Sequence, residues 1–445
     1  MTEFPQDRPI KTRKLYCLGG VGTSVKFNVH NNSLANLRRG LIERVFFVEN
    51  DKKELEPAPK PLSGAFDRLT WFRRKLHNIV GTHSCISPGQ FLDFYTGRRR
   101  TIYEGAVKSL EGLSVQRRDA YLKTFVKAEK INTTKKPDPA PRVIQPRNVR
   151  YNVEVGRYLR RFEHYLYRGI DEIWNGPTII KGYTVEWQLV NKGVGYASDG
   201  MIKYKVDGCR MSGDMNTAMG NCLIACAITH DFFRSRGIRA RLMNNGDDCV
   251  VICEKECAAV VKADMVRHWR QFGFQCELEC DAEIFEQIEF CQMRPVYDGE
   301  KYVMVRNPLV SLSKDSYSVG PWNGINHARK WVNAVGLCGL SLTGGIPVVQ
   351  SYYNMMIRNT QSVNSSGILR DVSFASGFRE LARLGNRKSG AISEDARFSF
   401  YLAFGITPDL QRAMESDYDA HTIEWGFVPQ GNPRIQPISW TLNEL

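Results

Sequence analysis

DGCRMSGDMNTAMGNCLIACAITHDFF (Asp207–Phe233) and ARLMNNGDDCVVICE (Ala240–Glu254) are the stretches whose reading decides the fold. The second is an apolar strand, a tight turn and another apolar strand. Asn245 and Gly246 supply turn chemistry, and Val250, Val251 and Ile252 are strand formers. Asp247 and Asp248 then stand side by side at a hairpin tip, where two carboxylates repel unless a cation lies between them. Magnesium takes carboxylates, waters and phosphates, so the tip suits phosphoryl-transfer chemistry as well as it suits a solvated turn. The first stretch opens on a small-residue loop, Met211-Ser212-Gly213, and continues as an apolar helix from about Asp214 to Phe233. Thr217 and Asn221 lie one helical turn apart and share a face near Ser212. Two hydroxyls and an amide converging there suit a ribose and a nucleic-acid backbone, or a plain helix contact.

Outside these stretches, composition sets bounds. A chain of 445 residues can bury a large core or divide into two or three subdomains. Lysine and arginine outnumber the acids 61 to 47, a formal charge of +14, which favours a polyanionic partner. The 12 cysteines show no CxxC pair, so reduced, buried thiols are expected rather than a disulfide scaffold or a zinc site. GGVGTS (Gly19–Ser24) lacks the ending of a phosphate-binding P-loop and opens no dinucleotide fingerprint, so it reads as a turn. No run approaches 18 apolar residues, and no membrane span is expected.

Periodicity places a helix after Asn32 or Ser33 through Leu34, Leu37 and Leu41, and another over Phe66–Ile79. Lys127 and Lys130 precede a Pro- and Lys-rich loop, and Arg142 stands on what reads as the returning strand. Such cations could grip a triphosphate, arginine as a rigid fork and lysine as a mobile charge. Arg147 and Arg150 read as template contacts or surface charge. The helix after Tyr151 puts Val155, Tyr158, Leu159, Phe162 and Leu166 on one face, which reads as core. GYAS and MIKYKV flank an Asp199-Gly200 turn as a hairpin. Beyond the tip, Glu256–Phe272 reads as a helix, FQCELE as a strand, and EQIEFCQMRPV (Glu286–Val296) as a turn centred on Cys291 and Gln292.

SGDMNTAMGN (212–221) followed by NNGDD (244–248) resembles motifs B and C of viral RNA-dependent RNA polymerases, most nearly those of tombusvirus-like plant viruses of carmovirus and umbravirus type. The segment from Phe125 resembles the family's basic motif F, and Glu286–Val296 its motif E. The resemblance implies an α+β right-hand fold: residues 1–200 as N-terminal region and fingers (with the nucleotide-binding segment at 124–150), 201–310 as a palm with an antiparallel sheet, and 311–445 as a mainly helical thumb. It further implies RNA-directed RNA synthesis on a positive-strand viral genome, with Mg2+ or Mn2+ as cofactor. Asp247 and Asp248 would hold metal, Lys127, Lys130 and Arg142 the triphosphate, and Ser212, Thr217 and Asn221 the ribose and site backbone. Viral RNA, nascent strand, nucleoside triphosphates, an auxiliary replicase protein and host factors are the implied partners. The implied setting is the host cytoplasm, at membrane-associated complexes to which a partner recruits the chain. In the family an upstream replicase portion precedes HNNSLANLRRGLIERVFFVE (30–49), and it is not expected here.

One family element is missing. A strand with a D-x4-D pattern, motif A, belongs between NGPTIIKGY (175–183) and EWQLVNKGVGYASDG (186–200), and its first aspartate helps hold both metals. Here Tyr183-Thr184 runs straight into Val185-Glu186, and no D-x4-D occurs between Arg142 and Ser212. Asp171 and Glu172, at a helix end, are unconvincing substitutes. The expected palm is therefore incomplete, and a catalytically inactive, internally deleted derivative that only binds RNA or joins a replication complex is the alternative reading.

Overall fold

A computed structural model describes residues 1–50, 52–179, 190–207, 211–214, 217–279, 281–370, 382 and 385–425. The motif A junction at 183–187, the middle of the stretch at 362–390 (371–381, 383 and 384) and Trp440 lie outside the described residues. The fold is mixed α and β, in two compact units each assembled from separate stretches of chain. The first comprises residues 1–11, 32–127 and 140–280, and the second residues 12–31, 128–139 and 281–445.

The first unit is built on a five-stranded sheet of β1 (Thr2–Pro5), β2 (Leu122–Val126), β3 (Val143–Ile144), β4 (Val190–Ala197) and β5 (Gly200–Asp207). Its order is β1-β5-β4-β2-β3, with the β2–β4 pair parallel and the others antiparallel. The expected β4–β5 hairpin forms with Gly200 facing Ala197, which puts Ser198 and Asp199 in the turn. Asp199 is fixed there because its Oδ1 accepts from the Leu34 amide at 2.7 Å. That amide opens α1 (Leu34–Leu41), whose N-cap is Ser33, with Oγ accepting from the Asn36 amide. Leu37 and Leu41 of α1 bury against Leu122, Val126 and Ile202 of the sheet. Gly193 is required by its neighbour: a Cβ there would lie 2.5 Å from the Tyr204 ring.

Helices cover the rest of this unit: α2 (Thr70–Val80), α3 (Gly97–Gly112), α4 (Val149–Leu159), α5 (Phe162–Ile173), α6 (Thr217–Ser235) and, beyond the tip hairpin, α7 (Ala258–Gln271). Phe72 and Leu76 of α2, Leu166 and Ile170 of α5, and Phe232 and Phe233 of α6 form a second core. The apolar face of α4 departs from expectation. Val155 and Leu159 are only half-buried and Tyr158 is 63% exposed, because this face lines an open groove instead of a closed core. FQCELE also departs from expectation. Phe274–Glu279 joins no described strand, and without a ladder partner its alternating pattern cannot hold as sheet.

In the second unit, β8 (Met293–Tyr297) and β9 (Tyr302–Arg306) form a hairpin, followed by α8 (Pro308–Ser316), α9 (Ile325–Thr343), α10 (Val349–Arg358), α11 (Glu394–Phe404) and α12 (Pro408–Ala420). Just before β8, Phe290 bridges Met293 around Cys291 and Gln292, which both take left-handed backbone with φ of 54° and 63°. This is the two-residue turn whose hand suits a hairpin. Trp331 and Val332 of α9, Tyr352 and Tyr353 of α10, Phe400 of α11 and Tyr418 of α12 share one core. Arg306 grips Asp315 with two bonds, and the Tyr353 hydroxyl donates to the same carboxylate at 2.7 Å. Burial alone would raise the Asp315 pKa, but the Arg306 guanidinium reverses this and holds it below the usual range.

His230 of α6 is stacked on Trp71 with centroids 5.0 Å apart and edge-on to Trp174. Burial first, then the charges of Arg234 and Lys75, push its pKa down to about 4, against a weaker opposing pull from Asp231. The folded imidazole stays neutral while the unfolded one protonates near 6.5, so between pH 6.5 and about 4 the unfolded state binds the extra proton. Stability from this group is full above that window and lost through it as pH falls. His230→Phe is expected to flatten that part of the stability–pH curve, as read by urea denaturation across the range.

Candidate functional site at the acidic hairpin

The paired carboxylates stand at the tip of β6 (Ala240–Asn245) and β7 (Asp248–Cys253), where Asn245 faces Asp248 in register. Gly246 has φ of +89°, a conformation that costs glycine little. Asn244 holds the turn from beneath. It is fully buried, its Oδ1 accepts from the Gly246 amide at 3.2 Å, and its Nδ2 donates to the Gly246 carbonyl at 3.2 Å. The same Nδ2 reaches Cys249 Sγ at 2.8 Å. Asn244 was passed over in the sequence, where Asn245 drew the turn reading. The available signal was the residue two before a glycine turn whose side chain can satisfy that turn's backbone.

With Asn244 below, Asp247 and Asp248 are thrust outward and exposed. A Cβ on Gly246 would meet Asn221 Cβ at 3.4 Å, so the turn lies directly against α6. The structure therefore brings Asn221 to the carboxylate tip. Next to Asn221, Cys222 is buried beneath the turn and burial pushes its thiol up to about 11, so it stays protonated. Thr217, the first residue of α6, donates its hydroxyl to the Met211 carbonyl at 2.9 Å and is within 3.1 Å of the Asp214 carbonyl. Its oxygen keeps acceptor capacity, but its proton is used to close the loop.

Ser212 is exposed on that loop, and its carbonyl accepts from the Gln145 amide at 2.6 Å. The loop is anchored by a residue that the sequence reads as a template contact or surface charge. Arg147 is buried, and its Nε lies 2.6 Å from Asp214 Oδ1. Its other nitrogens donate to Asn191 Oδ1 at 2.7 Å and to the Ala120 carbonyl. Arg150 is likewise committed inside the protein, to Asp119 and to the Leu113 and Ser114 carbonyls.

Of the three cations expected at a triphosphate, two come together. Lys127 and Arg142 extend the β2–β3 ladder, with the Lys127 amide donating to the Arg142 carbonyl at 2.8 Å, and Arg142 is exposed. Lys130 belongs to the second unit, where its amine donates to the Lys314 and Tyr317 carbonyls at 2.5 and 2.8 Å. Burial pushes its pKa down to about 8, partly offset by Asp315.

Asp247 and Asp248 are two adjacent, exposed carboxylates on one element. Among the described residues no group of three or more His, Cys, Asp or Glu side chains is placed to hold a metal. Asp171 is engaged with the chain that follows α5, where its Oδ1 accepts from the Thr178 and Ile179 amides at 2.7 and 3.3 Å. Two ions held a few ångströms apart need carboxylates from more than one element, and the described residues do not fit that demand.

Among the described residues no helix is long and apolar enough to cross a membrane. Disrupting the loop anchor tests the geometry: Asp214→Ala is expected to cost about 3–5 kcal/mol in urea unfolding, because Arg147 is left buried without its carboxylate. Arg147→Met with Asp214→Leu is expected to lose less than the single substitution.

Comparison with known sequences gives the family. The family model for viral RNA-dependent RNA polymerase matches in two stretches, residues 1–186 and 184–426. The RNA-directed RNA polymerase of melon necrotic spot virus is 88% identical over 502 aligned positions, covering 100% of this chain and 64% of the relative. Those of turnip crinkle virus (47% over 503 positions, 100% and 64%) and carnation mottle virus (45% over 479 positions, 95% and 62%) are also similar. The chain thus spans about 64% of the length of the first two. An alignment of 502 positions against 445 residues leaves about 57 positions of the melon virus protein without counterpart here. The chain belongs to the viral RNA-dependent RNA polymerase family of tombusvirus-like plant viruses.

Proposed function

We propose that this chain is built for RNA-directed RNA synthesis in the replication of a positive-strand plant viral genome. The observation that carries the reading is the exposed Asp247–Asp248 tip, locked by Asn244 and seated against Asn221 of α6. In this reading the described units carry the fingers, palm and thumb of a right-hand polymerase, with residues 201–310 as palm and 311–445 as thumb. Lys127 and Arg142 neutralise the incoming triphosphate. The family resemblance extends that role to Lys130, whose amine is held by two carbonyls in this structure. Asn221 and the Thr217 oxygen face the sugar, and the loop bearing Ser212 steadies the site. Mg2+ or Mn2+ is the metal that family chemistry implies, and Asp247 and Asp248 are its ligands here. The partners are viral template and nascent strand, nucleoside triphosphates, a viral auxiliary replicase protein and host factors. The setting is the host cytoplasm, at membranes to which a partner brings the chain.

The missing 57 or so positions favour a second reading for the chain in its present form: an RNA-binding or replication-complex protein that does not turn over. RNA binding alone does not separate the two, since both predict salt-dependent affinity. Incorporation of labelled nucleotide on a primed RNA template with Mg2+ or Mn2+ does. The chain as it stands is expected to be silent. With the relative's segment restored at Thr184–Glu186 it is expected to extend the primer, and Asp247→Ala in that restored chain to lower the rate by at least ~10²-fold. A silent restored chain would remove the polymerase reading, whereas incorporation by the present chain would remove the second.

A further inference from the structure

A groove of about 850 Å³ opens on the first unit, walled by Tyr151, Val155 and Leu159 of α4, Phe162 of α5, and Met219 and Leu223 of α6. Its lining is overwhelmingly apolar. Tyr151, Val155, Tyr158 and Leu159 follow the spacing of a helix's buried stripe, yet Tyr158 at the rim is 63% exposed. The stripe thus faces an open groove instead of a covering element.

The described chain on each side of the 184–186 junction packs against elements that wall this groove. On the upstream side, Ile179 packs in the same cluster as Phe162, Leu166, Met219 and Leu223. On the downstream side, β4 runs beside β2 with Leu122 against Gly193. The turn immediately before β2 supplies Arg117 and Ala120 to the groove. The two stretches matched by the family model meet at 184–186, and the alignment with the melon virus protein is about 57 positions longer than this chain. The hairpin carrying Asp247 and Asp248 has a related shortfall: its described strands form a two-stranded sheet, and Ile252 on β7 is 46% exposed.

We propose that the groove between α4, α5 and α6 is the seat of the polypeptide segment that the relatives carry at Thr184–Glu186. The chain thus retains the socket of a core element it no longer contains. The inference rests on the polymerase reading and states which part of that machine is physically vacated. An apolar face of a polypeptide fits the lining, which among the described residues offers Arg117 and Glu154 as its charged side chains and so gives a nucleic-acid backbone little to hold.

Hydroxyl-radical footprinting, read residue by residue by mass spectrometry, tests this without any need for activity. In the chain as it stands, Tyr151 and Tyr158 are expected to oxidise readily. Insertion of the melon virus segment at Thr184–Glu186 is expected to lower their oxidation severalfold, while Phe398 and Tyr401 in the second unit stay unchanged and report intact folding. Unchanged oxidation of Tyr151 and Tyr158 in a folded, restored chain would overturn the proposal even if that chain polymerised RNA. Shielding with no polymerisation would uphold it and count against the functional reading. Protection of Tyr158 by RNA in the present chain would assign the groove to nucleic acid and overturn it as well. Val155→Lys supplies a control that needs no insertion. It is expected to leave the thermal midpoint of the present chain unchanged, because the lysine meets open groove, and a drop of several degrees would show the groove closed and overturn the proposal.

Discussion

The buried pair of Arg147 and Asp214 is the constraint on which the candidate site depends. Two charges removed from water are costly, and their attraction repays this only when the remaining hydrogen-bonding capacity is filled. Here it is filled: the guanidinium also reaches Asn191 on β4 and the Ala120 carbonyl, while Asp214 accepts from the Met211 amide. One side chain therefore ties the sheet, the turn before β2, the start of α4 and the loop that opens α6. Because Asn221 sits on α6 against Gly246, the position of the acidic tip is inherited from this pair through one helix.

What was legible in the sequence is what local chemistry decides. Ser33 caps a helix through its own hydroxyl, glycine and asparagine make the β6–β7 turn, and Cys291–Gln292 form the left-handed turn between Phe290 and Met293. What was not legible depends on partners far along the chain. Arg147 looks like any arginine in a basic segment until Asp214, 67 residues later, meets it. Lys130 takes its triphosphate role from the family resemblance, yet its amine is satisfied by carbonyls 184 and 187 residues away. FQCELE has the alternation of a strand, but a strand needs a neighbour as well as a pattern.

The apolar face of α4 is a different kind of mismatch. Its spacing marks it as core, and the physical reasoning behind that reading is sound: a stripe of Tyr151, Val155, Tyr158 and Leu159 has no reason to face water. The stripe is half-exposed because its counterpart is lacking, not because the periodicity misleads. Sequence pattern here records a packing partner that the chain does not supply, and the deficit at 184–186 names where that partner would have been connected.

Local folding tolerates such a loss because each border of the junction is anchored independently of it. Upstream, Asp171 at the end of α5 accepts from the Thr178 and Ile179 amides, and the Thr178 carbonyl accepts from the Asn244 amide at 2.8 Å, which lays the chain beside β6. Downstream, β4 is held by eight paired positions with β5 and by β2 on its other edge. Each anchor is complete among the described residues, so hydrogen bonding holds on both sides of the junction. Chemistry is less forgiving than folding in this respect. A hairpin tip keeps its shape through Asn244 and Gly246 alone, but a pair of metal ions needs carboxylates converging from separate elements, and convergence is what a missing core segment removes.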